Sequence, residues 1–264
     1  MASNEEVAVV ETGLKILMVT SEVVPFAKAG GLGDMVAALS AELQRQGNEV
    51  RIILPRYYSI DIGRMQRISG PLGVPLGEKE EWCAVYQSRL PNAEVPVYFL
   101  DHEVLYGRDG IYGTSGEPGF ADNLQRFALL SRGAFQLCRV LEWFPDVMHS
   151  HDWPSAIVPV CLNARESEGE FADTGSMLTI HNLGHQGVFP MEEFGKLPVS
   201  PDLYSSAGFE TPDGLNLLQA GIQNADVLTT VSPTYAEEIQ TPEFGCGLDA
   251  LLRERERDLF GVLN

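Results

Sequence analysis

A chain of 264 residues, 44% of them hydrophobic, can build one large domain or two small ones around a sizeable core, which excludes a disordered or fibrous protein. A formal net charge of −19 repels nucleic acid and anionic membrane, so neither is expected as a partner. A small anion stays compatible, because a local group of amides and one lysine outweighs a diffuse field that salt screens.

The four cysteines, Cys83, Cys138, Cys161 and Cys246, include no CxxC pair and fit reduced thiols in a cytoplasmic protein. The opening MASNEEVAVVETG is acidic and has no secretory core, and no apolar run is long enough to span a bilayer. Residues 1–14 are expected as a loose tail and residues 15–264 as one domain.

Lys15 to Thr20 (KILMVT) reads as a buried strand. A glycine-rich corner follows, and then Val36, Leu39 and Leu43 recur at helical spacing up to Gly47, which is placed to end the helix. Val50 to Leu54 is the next strand, completing a βαβ unit with a right-handed crossover. Trp82 to Leu90 and Val95 to Leu100 read as strands around a Pro91-Asn92 turn. Asp122 to Glu142 reads as a helix with Leu124, Phe127, Leu130 and Leu137 along one face. A short strand is expected at Val147 to His149, and a helix from Asp152 or Trp153 to about Ala164. Strands at Met177 to Ile180 and Val227 to Val231 flank a helix at Leu215 to Asn224. Ser232-Pro233 opens a last helix, with serine as cap and proline in the first turn. This alternation implies an α/β, Rossmann-like, doubly wound and mostly parallel sheet.

Ligands of such sheets bind at the C-terminal ends of strands. Polar clusters fall at those places: Thr20-Ser21-Glu22, His149 to Asp152, His181-Asn182 and Ser232. In Lys28-Ala29-Gly30-Gly31-Leu32-Gly33 the free amides at a helix start, with Lys28 beside them, suit a phosphate. The same glycines also suit a sharp turn with no ligand, and neither GxGxxG nor a P-loop is present. In HSHDWPSA, His149 and His151 are read as pointing to opposite faces of a continuing strand, or His151 as already in the loop. Asp152 reads either as a helix cap or as a site carboxylate. A rival constellation groups His149, His151, His181 and His185, four of the five histidines, as ligands of a hydrolytic metal. Against it, HNLGH contains a glycine and is not HExxH. The run RERERD, Arg253 to Asp258, reads as a solvated helix face.

Taken in order, these motifs resemble one family. They are SEVVPF from Ser21, KAGGLGD from Lys28, LPRY from Leu54, DNLQRF from Asp122, HSHDW from His149, HNLGHQG from His181, TVSPTYA from Thr230 and GVLN to Asn264. The chain is similar to the bacterial glycogen synthases and plant starch synthases, retaining glucosyltransferases that extend an α-1,4-glucan from ADP-glucose. The resemblance implies the GT-B fold, of which this chain matches the N-terminal half, with a nucleotide-binding half beyond Asn264. An excised domain or fragment of that kind is expected not to turn over donor alone. No cofactor and no metal is implied. The compartment implied is the cytoplasm, or the plastid for a plant chain freed of its transit peptide.

By the resemblance, Lys28, Gly30 and Gly31 face the donor diphosphate or reacting sugar, and Asp34 the donor glucose. His181 would lie at its 6-hydroxyl region, and Asn264 near the donor sugar. Asp152, with His151, would lie on the acceptor side, positioning the attacking glucan hydroxyl. Asp152, His181 and Lys28 are thus the candidate catalytic residues. Ala29, Gly107, Gln219 and His185 depart from the commoner threonine, aspartate, lysine and tyrosine. A glucan-binding module of the same fold that no longer catalyses is the competing implication, with the metal-dependent hydrolase as a third.

Overall fold

A computed structural model describes residues 13–264 except Ser69, Asn92 and Asp213. Residues 1–12 of the tail expected over residues 1–14, and the second residue of the Pro91-Asn92 turn, lie outside the described residues. Leu14 is already fastened to the domain, its N–H donating to Asn48 Oδ1 at 3.0 Å.

The described strands are β1 Lys15–Val19, β2 Glu49–Pro55, β3 Gln66–Arg67, β4 Leu72–Leu76, β5 Lys79–Arg89, β6 Pro96–Asp101, β7 Val147–His151, β8 Gly175–Ile180, β9 Val188–Phe189, β10 Glu210–Thr211, β11 Gly214–Asn216, β12 Val227–Thr230 and β13 Leu259–Gly261. The helices are α1 Leu32–Arg45, α2 Glu103–Tyr106, α3 Asn123–Val140, α4 Ile157–Cys161, α5 Leu203–Ser206, α6 Leu217–Asn224, α7 Pro233–Glu238 and α8 Asp249–Glu254.

The main sheet runs β13-β12-β8-β7-β1-β2-β6-β5-β3, with β4 on β5. From β13 to β6 every pairing is parallel, whereas β5 joins β6, β3 and β4 antiparallel. The doubly wound, mostly parallel sheet expected from the sequence is therefore present. It carries an antiparallel flap that includes β3 and β4, two strands the sequence reading lacks. Pro75 in β4 is tolerable because β4 is an edge strand.

The period of two divides the central strands between two cores. In β1, Leu17 and Val19 enter one core with α3, while Ile16 and Met18 enter the other with Val36 of α1. In β2, Ile53 joins the first core, and Val50, Ile52 and Leu54 the second. Apolar residues on both faces are what a sheet covered on both sides requires. Helix α3 is expected to be apolar on one face, yet it is buried nearly all round, from Leu124 to Cys138. It threads between the flap and the sheet and so has no solvent face to spare.

From central β1 the chain winds outward through β2 and β6. It then returns to the other side of β1 for β7, β8, β12 and β13. The β1–β7 boundary is the topological switch point, and the loops after these strands diverge to leave a crevice there.

Candidate functional site

A cavity of about 730 Å³ opens at the switch point, lined by Glu22, Gly30, Gly31, Asp152, His181 and Asn264 among others. Its walls are strand ends: Glu22 follows β1, Asp152 follows β7, His181 follows β8 and Val231 follows β12. Five of the expected site residues thus come together from stretches more than 200 positions apart. Lys28 and Asp34 stand apart from this lining. They pair with each other at 2.6 Å, both more than half exposed, and Lys28 lines an adjoining pocket of about 450 Å³.

Asp152 is the most unusual residue of the site. Its backbone has φ 54° and ψ −172°, a region that is nearly glycine's alone and costs about 1–3 kcal/mol. Contacts on every side hold it there. Its N–H donates to Thr179 O at 2.9 Å, and its O accepts from Ser155 N at 3.3 Å. Its carboxylate accepts the N–H of His181 at 2.7 Å and of Asn182 at 3.3 Å. The helix-cap reading of Asp152 is therefore corrected: no side-chain cap bond forms, because two amides at the end of β8 take the carboxylate. Burial pushes its pKa up to about 7; the two amides oppose that rise and the Glu22 carboxylate adds to it. At neutral pH Asp152 therefore interconverts between acid and carboxylate, as a group handling a hydroxyl proton requires.

Glu22 organises the glycine-rich corner. Its Oε2 accepts from Ala29 N at 2.6 Å and Gly30 N at 3.0 Å, and Tyr112 OH donates to its Oε1 at 2.7 Å. Of the amides expected to face an anion, Gly30's is thus engaged by an internal carboxylate. Gly31, immediately before α1, has open space where a Cβ would stand. The turn reading of the corner has support at Gly33, which approaches Ala27 O so closely that a Cβ would sit 3.1 Å from it.

The histidines do not alternate. His149 and His151 lie on one side of β7 with ring centroids 4.2 Å apart, because residues i and i+2 of a strand share a face. The opposite-face reading is thus corrected, and β7 extends through His151. His149 Nε2 bonds Thr179 Oγ1 at 2.6 Å, and His151 Nδ1 lies 3.3 Å from His181 Nε2. Burial lowers the pKa of His149 to about 3 and of His181 to about 4, and pushes His151 well below the usual range. His151, expected on the acceptor side, is fully buried and reaches the cavity only through His181. His185 is exposed at the cavity wall. Among the described residues no three His, Cys, Asp or Glu side chains are grouped to hold a metal ion. One nitrogen each of His149 and His181 is already engaged within the protein.

Trp153 is a second wall that motif reading left without a role. Its ring packs edge-on to Phe127 of α3 at 4.8 Å and over Gly187, where φ is 65° and a Cβ would come within 2.6 Å of the indole. Tyr112 also went unread, since nothing local marks a tyrosine whose partner, Glu22, is 90 residues away. At three of the four departures from the family pattern the structure shows what the residue present does. At Gly107 a Cβ would meet Glu103 O at 2.5 Å, and Arg108 beside it makes a two-pronged pair with Asp122. Gln219 donates to Gly208 O and Glu210 O. The Ala29 amide holds Glu22, a role that needs no side chain.

Residues 15–254 match the family described as starch synthase catalytic domain. A protein named glycogen synthase from Treponema denticola is 50% identical over 251 residues, which are 95% of this chain and 51% of that protein. Glycogen synthase 1 of Geobacter metallireducens is 43% identical over 255 residues, 95% of this chain and 51% of that protein. Among solved structures, the catalytic domain of starch synthase IV from Arabidopsis thaliana, bound to ADP and acarbose, matches with a TM-score of 0.86 and 29% identity. That match covers 96% of this chain and 52% of the other. The chain spans about half the length of the curated relatives it matches.

Proposed function

Starting from the fact that the chain belongs to the starch synthase catalytic-domain family, we propose that it forms one wall of a glucosyl-transfer cleft. The family is one of glycosyltransferases, and the doubly wound sheet is the Rossmann-like half of a GT-B enzyme. The proposed reaction moves glucose from ADP-glucose to the non-reducing end of an α-1,4-glucan, with retention of configuration. The observation that carries it is the meeting of Asp152, His181 and the glycine-rich corner in one cavity at the switch point.

The roles proposed for its residues are those the resemblance implies, and the geometry is compatible with them. Asp152, poised near neutrality, positions and takes hydrogen-bond charge from the attacking glucan hydroxyl. His181, held neutral, offers a ring nitrogen to the donor sugar. Gly31 and the start of α1 present amides and the positive end of the helix dipole toward the departing diphosphate. Lys28 exchanges Asp34 for a phosphoryl oxygen when donor binds, leaving Asp34 free for a sugar hydroxyl. Asn264 closes the donor side of the cavity. The buried free thiols Cys83, Cys138 and Cys161 support a reducing compartment, the cytoplasm or a plastid. Among the described residues no helix is long and apolar enough to cross a membrane.

The test is incorporation of labelled glucose into maltooligosaccharide by the longest reading frame containing this chain, with ADP-glucose and UDP-glucose in parallel. The expected result is α-1,4 elongation with ADP-glucose preferred. Binding of maltooligosaccharide without transfer from either donor would instead establish the glucan-binding module.

A further inference from the structure

His151 makes no contact with the cavity, yet its ring is packed between those of His149 and His181, with centroids 4.2 and 5.5 Å away. It is completely buried. Its Nδ1 meets His181 Nε2 at 3.3 Å, and its other nitrogen, Nε2, is buried without any partner among the described residues. His181 lines the cavity, and its Nδ1 has no partner among the described residues.

Burial holds both rings neutral, so each carries a single N–H, and a hydrogen bond between them uses one of those two protons. Two arrangements are possible. If His181 Nε2–H donates to His151 Nδ1, the proton of His151 sits on Nε2 as a buried donor with nothing to accept it. If His151 Nδ1–H donates to His181 Nε2, the buried Nε2 of His151 is only a bare acceptor, and the His181 proton sits on Nδ1. Among backbone groups, orphaned buried N–H donors are rarer than under-satisfied acceptors, and the same ordering carried over to the imidazole favours the second arrangement.

We infer that His151 is a positioning residue that locks His181 as its Nδ1–H tautomer, so that the cavity receives a hydrogen-bond donor and not an acceptor at that point. The donor suits an oxygen of a sugar or phosphoryl group, and that part of the inference rests on the proposed glucosyl transfer. It also gives the wall a fixed polarity: Asp152 accepts and His181 donates. The tautomer is set behind the wall, by a residue no substrate touches.

Long-range 1H–15N correlation spectra of the histidine-labelled 264-residue chain read the tautomer directly, whether or not the chain catalyses. The expected result is a His181 ring protonated at Nδ1, with its signals assigned by their loss in His181→Gln. A wild-type His181 protonated at Nε2 would overturn the inference. His151→Asn keeps an N–H donor near the position of Nδ1, and His151→Leu does not. In the longest reading frame, His151→Leu is expected to lower kcat about tenfold or more, with His151→Asn recovering most of it. Equal loss in both variants, with the His181 tautomer unchanged in both, would reduce His151 to a packing residue. Absence of transfer in the wild type would defeat the functional proposal and leave the tautomer result standing.

Discussion

Two carboxylates in this molecule each hold two backbone amides, and the contrast between them separates scaffold from site. Glu22 takes the amides of Ala29 and Gly30, seven and eight residues onward, and adds Tyr112 OH. The result is a closed local loop in which no residue has positive φ. Asp152 takes the amides of His181 and Asn182, across from β7 to β8, from a backbone in a region few side chains tolerate. Glu22 shapes the glycine-rich corner and the edge of the cavity beside it. Asp152 keeps strain, burial and a pKa near 7, none of which stabilises the fold. Strain kept at one residue of a cavity wall agrees with the proposed role of Asp152, since folding alone does not require it.

The comparison breaks first at turnover. Asp152→Ala in the longest reading frame is expected to reduce kcat for glucosyl transfer by about 100-fold or more, whereas at pH 8 its stability cost is smaller than that of Glu22→Ala, because relief of the buried ionisation offsets part of the loss of two amide acceptors. A kcat near that of the wild type, with a stability loss as large as that of Glu22→Ala, would make Asp152 a structural residue like Glu22. Glu22→Ala should do the reverse in emphasis. It leaves two amides and the Tyr112 hydroxyl without their acceptor, a loss of about 2–4 kcal/mol measurable by urea denaturation.

A smaller effect sharpens the Asp152 side through pH. Its folded pKa of about 7 lies above the ordinary carboxyl value of 3.8, so the folded state binds the proton more tightly than the unfolded state. That contribution is present below the ordinary value and is lost as pH rises to about 7. Asp152→Asn keeps an oxygen for the two amides and removes the ionisation. It is expected to raise the melting temperature at pH 8 by about 3–6 °C and much less at pH 5. An equal shift at both pH values would refute the raised pKa. The smallest effect is a control away from both carboxylates. Ser232 caps α7 by accepting from Tyr235 N at 3.0 Å, and Ser232→Ala should cost about 1 kcal/mol.

What was legible in the sequence is what neighbours along the chain decide. The runs KILMV and EVRIILP are apolar on both faces and could only be inner strands. Ser232-Pro233 was legible as a helix start because cap and first turn are adjacent. The cap alternative for Asp152 fails by the same logic, since Asp-Trp-Pro satisfies a cap pattern locally while the carboxylate's partners are 29 and 30 residues away. RERERD looks like a solvated face, yet Arg255 turns inward and donates to Ile222 O and Ala225 O at the end of α6. The Glu22–Tyr112 bond and the buried rank of His151 depend on how β1, β7 and the loop after α2 are brought together. No local pattern encodes that.

The central claim, that the wall of the cleft receives the glucan on the side of Asp152, is tested most directly by titrating the 15N-labelled chain with maltopentaose and following backbone amide shifts. The account predicts saturable shifts at His181 and Asn182, the two amides bound to Asp152, and their loss in Asp152→Ala. Shifts confined to the antiparallel flap of β3 to β6, with His181 and Asn182 unmoved, would contradict it.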